Sequence, residues 1–188
     1  MKHFSFTGKT KVVFGVTLRQ ITATVSFGAI AEGEIGGWIE KEENISGDAW
    51  VSGNARVYGD ARVYGDARVY GNARVYGNAR VYGDARVYGN ARVYGDARVY
   101  GDARVYGNAW VYGDAWVKTP LFISGTKWGV SVSSYTTITI GCQSMTLKEW
   151  NKKADELAIE EHMTKTEIVE YKMYLEICKN WMELYCKK

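Results

Sequence analysis

Arginine and tyrosine recur together in the middle of this chain, and their spacing suits the binding of anions. A six-residue unit, Val-Tyr-Gly-(Asp/Asn)-Ala-Arg, repeats between Ile45 and Trp116, so that each central valine has Arg before it and Tyr after it. Because residues on either side of a strand residue share one face, we expect one guanidinium and one phenol to point outward from each unit. Such a surface suits nucleotides, cyclic nucleotides, single-stranded nucleic acid or a negatively charged protein. A solvated face amplified by duplication is the alternative.

Groups that would support catalysis are sparse. His3 and His162 lie outside the repeat, whereas hexapeptide acyltransferases use a general base, commonly His, and carbonic-anhydrase-like solenoids use three His on zinc. Cys142, Cys178 and Cys186 make no disulfide framework, and we expect reduced thiols. No glycine-rich loop of phosphate-binding spacing occurs. The sequence therefore predicts a protein that is not an enzyme and that has no cofactor and no metal.

The six-residue period specifies the element that carries these side chains. Ile45 to Trp116 is 72 residues, hence twelve units, and an aliphatic residue followed four positions later by a small one is typical of a left-handed parallel β-helix. Three units make a triangular coil of 18 residues, so twelve units make about four coils. The fourth position of the unit is Asp in some units and Asn in others, a choice that the six-residue period does not fix. This choice follows the 18-residue period of the coil, since Asn54, Asn72, Asn90 and Asn108 lie 18 residues apart. We predict a mainly β fold: a left-handed parallel β-helix with a β-rich N-terminal cap and a C-terminal α-helical pair.

The two ends of the solenoid need covering, because the edge strands of a stacked coil have unpaired backbone groups. Aromatic residues replace Arg towards both ends, and Thr146–Glu149 and Thr164–Glu167 are capping-box signatures that predict two helices. The predicted divisions are an N-terminal β cap at 1–38, the repeat at 39–128, a β-like connector at 129–145 and the helical pair at 146–188. The predicted capping or oligomerisation residues are Trp110, Trp116, Trp128, Leu175, Trp181 and Met182.

Stacking by 18 residues sorts the Arg and Tyr residues into three columns, one on each side of the coil. The middle column has Asn44 at its N-terminal end, whereas the other two have Trp38 and Trp50 there. We therefore expect capping segments to cover the middle column least. The predicted ligand-binding residues are Arg62, Arg80, Arg98, Tyr64, Tyr82 and Tyr100.

Three stretches together resemble a known family. They are the lead-in Ile35-Gly36-Gly37-Trp38-Ile39-Glu40, the Asn-Ala-Arg-Val-Tyr-Gly tract, and a tail with Thr139-Ile140-Gly141-Cys142 followed by Glu149-Trp150. These are similar to hexapeptide-repeat left-handed β-helix proteins of bacteriophages and prophages, which are mostly of unassigned function. The resemblance covers roughly residues 18 to 185. It implies the cytoplasm of a bacterial host, and it supplies no catalytic residues.

Charge and hydropathy narrow the function classes. The 24 basic and 21 acidic residues give a net charge of +3, which does not by itself indicate nucleic-acid or membrane binding. No apolar run of about 18 residues occurs, and we expect neither a signal peptide nor a membrane partner. We expect a non-enzymatic phage-encoded binding protein, a homo-oligomer (trimer or dimer), that sequesters or blocks a host factor as an inhibitor of bacterial anti-phage defence. The expected factor is a host defence protein, an anionic nucleotide-type ligand or a nucleic acid. A virion structural or assembly protein and a degenerate hexapeptide-type acyltransferase are the alternatives.

Overall fold

A computed structural model of the chain describes residues 2–116 and 118–186. The chain forms two compact units, one of Met1–Asn108 with Tyr112–Thr119, and one of Ala109–Val111 with Pro120–Lys188. The predicted segments 1–38, 39–128 and 146–188 include positions 1, 117, 187 and 188, which lie outside the described residues.

The first unit begins with an antiparallel sheet that continues into the solenoid. Strands β1 (Phe4–Val13) and β2 (Val16–Ala23) form a hairpin, and β3 (Ile35–Ile39) pairs antiparallel with β2. On its other side β3 pairs parallel with the first strand of a solenoid sheet, so that Ile39 lies beside Val57. The N-terminal cap and one side of the solenoid are therefore a single sheet.

The repeat forms short parallel strands, after a one-turn 3-10 helix at Glu42–Asn44. Their pairing joins residues 18 positions apart, as in Arg62 with Arg80 and Val63 with Val81. Three parallel sheets result, and the predicted β-solenoid of about four coils is confirmed. The strands are β4 (Trp50–Val51), β5 (Arg56–Val57), β6 (Arg62–Val63), β7 (Arg68–Val69), β8 (Arg74–Val75), β9 (Arg80–Val81), β10 (Arg86–Val87), β11 (Arg92–Tyr94), β12 (Arg98–Val99), β13 (Arg104–Val105), β14 (Trp110–Tyr112) and β15 (Ala115–Trp116). The sheet orders are β3-β5-β8-β11, β4-β7-β10-β13 and β6-β9-β12-β15, and β14 lies where the two units divide.

The valine and alanine of each unit fill the interior of the coil. Val81 and Ala79, for example, have no exposed surface. The corners need glycine for two reasons: Gly65 has a φ of +70°, and a Cβ there would lie 3.0 Å from the backbone nitrogen of Gly83 in the next coil. At one corner the Asn side chains form a ladder, in which each Nδ2 donates to the next Oδ1. The ladder joins Asn54, Asn72, Asn90 and Asn108 at distances of 3.4, 3.3 and 3.1 Å.

The last coil departs from the predicted register. The hexapeptide period places Trp116 at the outward Arg position, but Trp116 pairs with Val99, and Ala115 pairs with Arg98. The cause is a tighter turn at Gly113, whose φ is +80°, where the Asp114 N–H donates to the Tyr112 carbonyl at 2.9 Å. This turn removes one residue from the coil. Trp116 therefore points inward, only 3% exposed, and closes the interior of the solenoid.

The second unit is an antiparallel sheet with two helices. Its strands are β16 (Phe122–Ser124), β17 (Gly129–Val132), β18 (Thr137–Ile140) and β19 (Gln143–Thr146), and they are followed by α1 (Leu147–Glu160) and α2 (Lys165–Tyr185). Both predicted capping boxes are present, and the two C-terminal helices are confirmed. Antiparallel pairing begins at Phe122, whereas the repeat was expected to run to residue 128. Neither helix combines the length and apolar character of a membrane crossing in the described residues.

Candidate functional site

One side of the solenoid carries all six predicted ligand-binding residues. Backbone groups of this side form hydrogen bonds between successive coils, since the Arg62 N–H donates to the Ala79 carbonyl at 2.9 Å and the Tyr64 N–H to the Val81 carbonyl at 3.0 Å. The intervening valines point inward and are fully buried. The Arg and Tyr side chains therefore point outward on β6, β9 and β12. We call this surface the middle face: Arg62, Arg80, Arg98, Tyr64, Tyr82 and Tyr100.

The three arginines of the middle face are exposed and, among the described residues, form no direct ion pair with a carboxylate, although the charge of Arg62, after the hydrogen bond from Lys41, helps to lower the pKa of the Asp60 carboxyl. In the described part of the chain, no ion pair includes Arg62, Arg80 or Arg98. The nearby Asp60 instead pairs with Lys41 at 2.7 Å, and the hydrogen bond from Lys41 lowers the pKa of the Asp60 carboxyl. Like charges stacked about 4.8 Å apart repel by about 1 kcal/mol per pair even in water. A bound anion would relieve that repulsion.

The tyrosines of the middle face stack on one another. The ring centroids of Tyr64 and Tyr82 lie 4.8 Å apart and those of Tyr82 and Tyr100 lie 5.0 Å apart, with interplanar angles of 2° and 3°. Burial, together with the neighbouring phenols, raises the pKa of Tyr82. A flat ligand inserted between two rings would need a separation of about 7 Å. The ring faces inside the stack are therefore closed to a ligand, contrary to what adjacent Arg and Tyr residues suggest. Tyr82, which has a ring on each side, presents only its edge and hydroxyl.

Tyr64, the first ring of this stack, keeps one face uncovered by another ring. One coil earlier the equivalent residue is Ser46, whose N–H donates to the Val63 carbonyl at 3.0 Å and whose small side chain is exposed. Among the described residues, Tyr82 is the one aromatic ring that contacts Tyr64. The middle face therefore has an aromatic platform at its N-terminal end, with Arg62 on the same strand.

The other two sides of the solenoid are less open. On β5, β8 and β11 the three arginines are half-buried, and Arg74 lies over the ring of Phe14 from the β1–β2 turn at 5.9 Å. On the third side Arg68 is half-buried, donates to the Asp48 carbonyl and lies 5.9 Å from the Phe27 ring centroid. Only the middle face has all three of its arginines exposed. The N-terminal segments thus cover the middle column least, as the absence of an aromatic residue at position 44 predicts.

Asn44 closes the N-terminal edge of the middle sheet, a role that its sequence position did not reveal. It is fully buried. Its Nδ2 donates to the carbonyls of Ala61 at 2.8 Å and Gly59 at 3.1 Å, while its Oδ1 accepts from the N–H groups of Lys41 at 2.9 Å and Glu40 at 3.2 Å. These bonds replace the strand that an additional coil would supply. The sequence contains one indication of this role: position 44 is Asn, whereas the equivalent position in the other units is Arg or Trp.

The predicted capping residues lie in different environments. In the second unit the Trp110 N–H donates to the Ser131 hydroxyl at 3.3 Å, and the Trp128 ring contacts Tyr171 at 5.7 Å. Leu175 is buried within its own chain, so it is not available as an oligomer contact, whereas Trp181 and Met182 are half-buried. Two N-terminal residues not singled out by sequence, His3 and Phe27, cover Trp50.

Parallel hexapeptide coils with outward ladders of Arg and Tyr define a β-solenoid repeat protein. The repeat region matches the YdcK beta solenoid repeat family in nine overlapping segments, which together span residues 49–118. No curated protein matches the chain. The segments are 49–65, 55–71, 61–77, 67–83, 73–89, 85–101, 91–105, 97–113 and 103–118.

Proposed function

We propose that this protein is a non-enzymatic binding protein that holds a nucleotide-type anion on the middle face. The observation that carries the proposal is the column of three exposed arginines without a direct ion pair in the described part of the chain, beside a tyrosine stack whose first ring has a face that no other described ring covers. Arg donates in a planar fork that matches phosphate oxygens, and base–aromatic stacking contributes about 1–3 kcal/mol per base. A ligand with both a flat ring and phosphates uses both features.

The binding mode follows from the order of residues along the face. The base stacks on Tyr64 above Ser46, and the phosphates extend towards Arg62 and Arg80. Successive guanidinium groups are separated by one coil, about 4.8 Å, so that one phosphate can accept hydrogen bonds from two of them. The hydroxyls of Tyr82 and Tyr100 supply further donors along the same line.

The biological role we propose is sequestration of a host factor by a phage-encoded protein in the cytoplasm of its bacterial host, as an inhibitor of anti-phage defence. The support is the resemblance of the lead-in at residues 35–40 and of the tail around Gly141 and Trp150 to phage and prophage hexapeptide-repeat proteins. A nucleotide-type ligand is favoured over an acidic protein surface because the open face of Tyr64 suits a planar ring.

Binding of ATP, a cyclic nucleotide and a single-stranded oligonucleotide, measured by calorimetry, tests the proposal. The triple variant Arg62→Gln, Arg80→Gln, Arg98→Gln keeps an exposed polar surface and removes three charges. We expect at least a tenfold loss of affinity for each nucleotide that the parent binds, since a hydrogen bond to a charged group contributes about 1.5–3 kcal/mol. Parental affinity should also fall with salt, most steeply for the oligonucleotide.

Two controls make the test specific. The matched control is the triple variant Arg56→Gln, Arg74→Gln, Arg92→Gln. It removes the same number of positive charges from a face that the β1–β2 hairpin partly covers, and it should retain binding. Tyr64→Ala should weaken binding of ATP but leave binding of inorganic triphosphate unchanged. Equal affinities for the parent and both triples, or no binding of any nucleotide by the parent, would refute the proposal.

A further inference from the structure

Helix α2 has two apolar faces, of which one is used within the chain. Tyr171, Leu175 and Cys178 are buried. A second set lies on a different side of the helix at spacings of four, four and seven residues. Its members, which we call the α2 stripe, are Val169 (59% exposed), Met173 (60%), Ile177 (45%) and Leu184 (74%). At 1.5 Å per residue the stripe extends over about 24 Å. Asn180 occupies the position between Ile177 and Leu184, so the stripe has one polar interruption. An exposed apolar stripe on one side of a helix is typical of a helix that packs against a second helix.

A row of alternating charges runs along one border of the α2 stripe. Lys172, Glu176, Lys179 and Glu183 follow one another at spacings of four, three and four residues and share one side of the helix. In the chain itself Lys172 pairs with Asp155 of α1 at 2.7 Å, and Lys179 pairs with Glu176 at 2.9 Å. All four partners are substantially exposed, and such surface pairs re-form readily with new partners.

The order of these charges identifies the partner that fits the stripe. When two copies of one helix pack antiparallel, the same border of each helix faces its copy. With Ile177 on the two-fold axis, Lys172 comes beside Glu183 of the partner subunit, and Glu176 comes beside Lys179 of the partner subunit. Symmetry repeats both pairs, which gives four attractive contacts along this border. Parallel packing instead places the charged border against the opposite border, which carries Glu170 and Tyr174.

We infer that the α2 stripe is a homodimer surface, on which α2 packs antiparallel against α2 of a second copy about an axis through Ile177. Val169 lies against Leu184 of the partner subunit, and Ile177 lies against its own symmetry mate. The middle face belongs to the first unit and α2 to the second. A two-fold axis of this kind is the commonest symmetry among soluble oligomers.

The mass of the full chain in solution, measured by analytical ultracentrifugation at micromolar concentration, tests the dimer. Ile177→Asp should convert it to a monomer, because it places two like charges on the axis. Ile159→Asp is the matched control: Ile159 is 74% exposed on α1, outside the stripe, and its change should leave the dimer intact. A monomeric parent, or a dimer that survives Ile177→Asp, would overturn the inference.

Crosslinking tests the direction of packing. In a background with Cys142→Ser and Cys186→Ser, the variant Ile177→Cys should link to its own copy through a short thiol crosslinker, whereas Val169→Cys should not. Linking at both positions would indicate parallel helices and overturn the antiparallel register. Charge reversal adds a second readout: Lys172→Glu should weaken the dimer at least threefold, and adding Glu183→Lys should restore it.

Discussion

Asn44 offers the most direct test of how the solenoid ends, because one side chain there takes the place of a missing coil. Asn44→Ala removes two donors and two acceptor contacts at a fully buried position. Each hydrogen bond contributes about 0.5–1.5 kcal/mol net, so four of them give roughly 2–6 kcal/mol. The upper part of that range applies if the carbonyls of Gly59 and Ala61 stay buried without a donor, and the lower part applies if water replaces the amide.

Asn44→Asp separates the two halves of this interaction. The carboxylate can still accept from the N–H groups of Glu40 and Lys41, but it loses both donors and places a negative charge against two carbonyl oxygens. Protonation would restore one donor, so the folded pKa of the introduced carboxyl should lie above its unfolded value. This variant should therefore be least stable at neutral pH and should recover part of its stability as the pH falls towards 4, about the ordinary pKa of Asp.

Urea unfolding followed by circular dichroism measures both changes, with Asn54→Ala as the matched control. Asn54 is exposed and has one side-chain bond, to Asn72 at 3.4 Å, so its loss should cost less than about 1 kcal/mol. A cost for Asn44→Ala no larger than that of the control would mean that the N-terminal edge is closed by other groups. The reasoning about edge capping would then be wrong.

Two further predictions concern the last coil and the tyrosine stacks. Trp116→Ala should lower the free energy of unfolding by about 3–5 kcal/mol in chemical denaturation, since Trp116 fills an inward position; a change below about 1 kcal/mol would contradict the shifted register. Burial raises the pKa of Tyr94 to about 12, above its ordinary value of 10.0. Stability from this phenol is complete below pH 10 and is lost as the pH rises towards 12, because the unfolded chain releases the proton first. Phenolate absorbance of the folded protein should accordingly rise at higher pH than that of the urea-unfolded chain, and coincident titrations would refute the assignment.

The sequence predicts the regular part of this fold well because each of the repeated units shows the same residue pattern. An inward valine and alanine in every unit, and an Asn column with a period of 18 residues, both follow from a three-sided coil. The structure adds the reason for the Asn column, namely side-chain hydrogen bonds between coils such as Asn72 to Asn90 at 3.3 Å. The helices were predictable for a different reason, since each begins with a local capping box that needs no tertiary contact.

The parts that sequence reasoning missed depend on contacts between distant residues. The one-residue shift that turns Trp116 inward arises at a single turn and is invisible in a pattern that continues unchanged through Asp114. The role of Asn44 depends on backbone groups 15 and 17 residues away. The spacing between coils brings successive tyrosine rings into contact, so that the ring faces inside the stack are closed. These faces therefore cannot stack on a ligand, contrary to what the sequence pattern suggests. The Arg and Tyr positions and the greater exposure of the middle column were predictable, but the closed faces of the stacked rings were not.

A repetitive surface offers several equivalent positions to a ligand, whereas specific binding needs one defined position. On this solenoid, the irregular end of the middle face can provide that position. Within the stack every coil presents similar groups, so an anion would find several equivalent arginines and no defined register along the face. Register requires an irregular feature, and on the middle face that feature is the step from Tyr64 to Ser46. A ring stacked there fixes the position of the phosphates over Arg62 and Arg80, whereas a ligand without a ring can slide along the column. Ser46→Tyr would extend the stack by one ring and cover the platform. We expect this change to weaken ATP binding several-fold while inorganic triphosphate, which uses the arginines alone, binds as before.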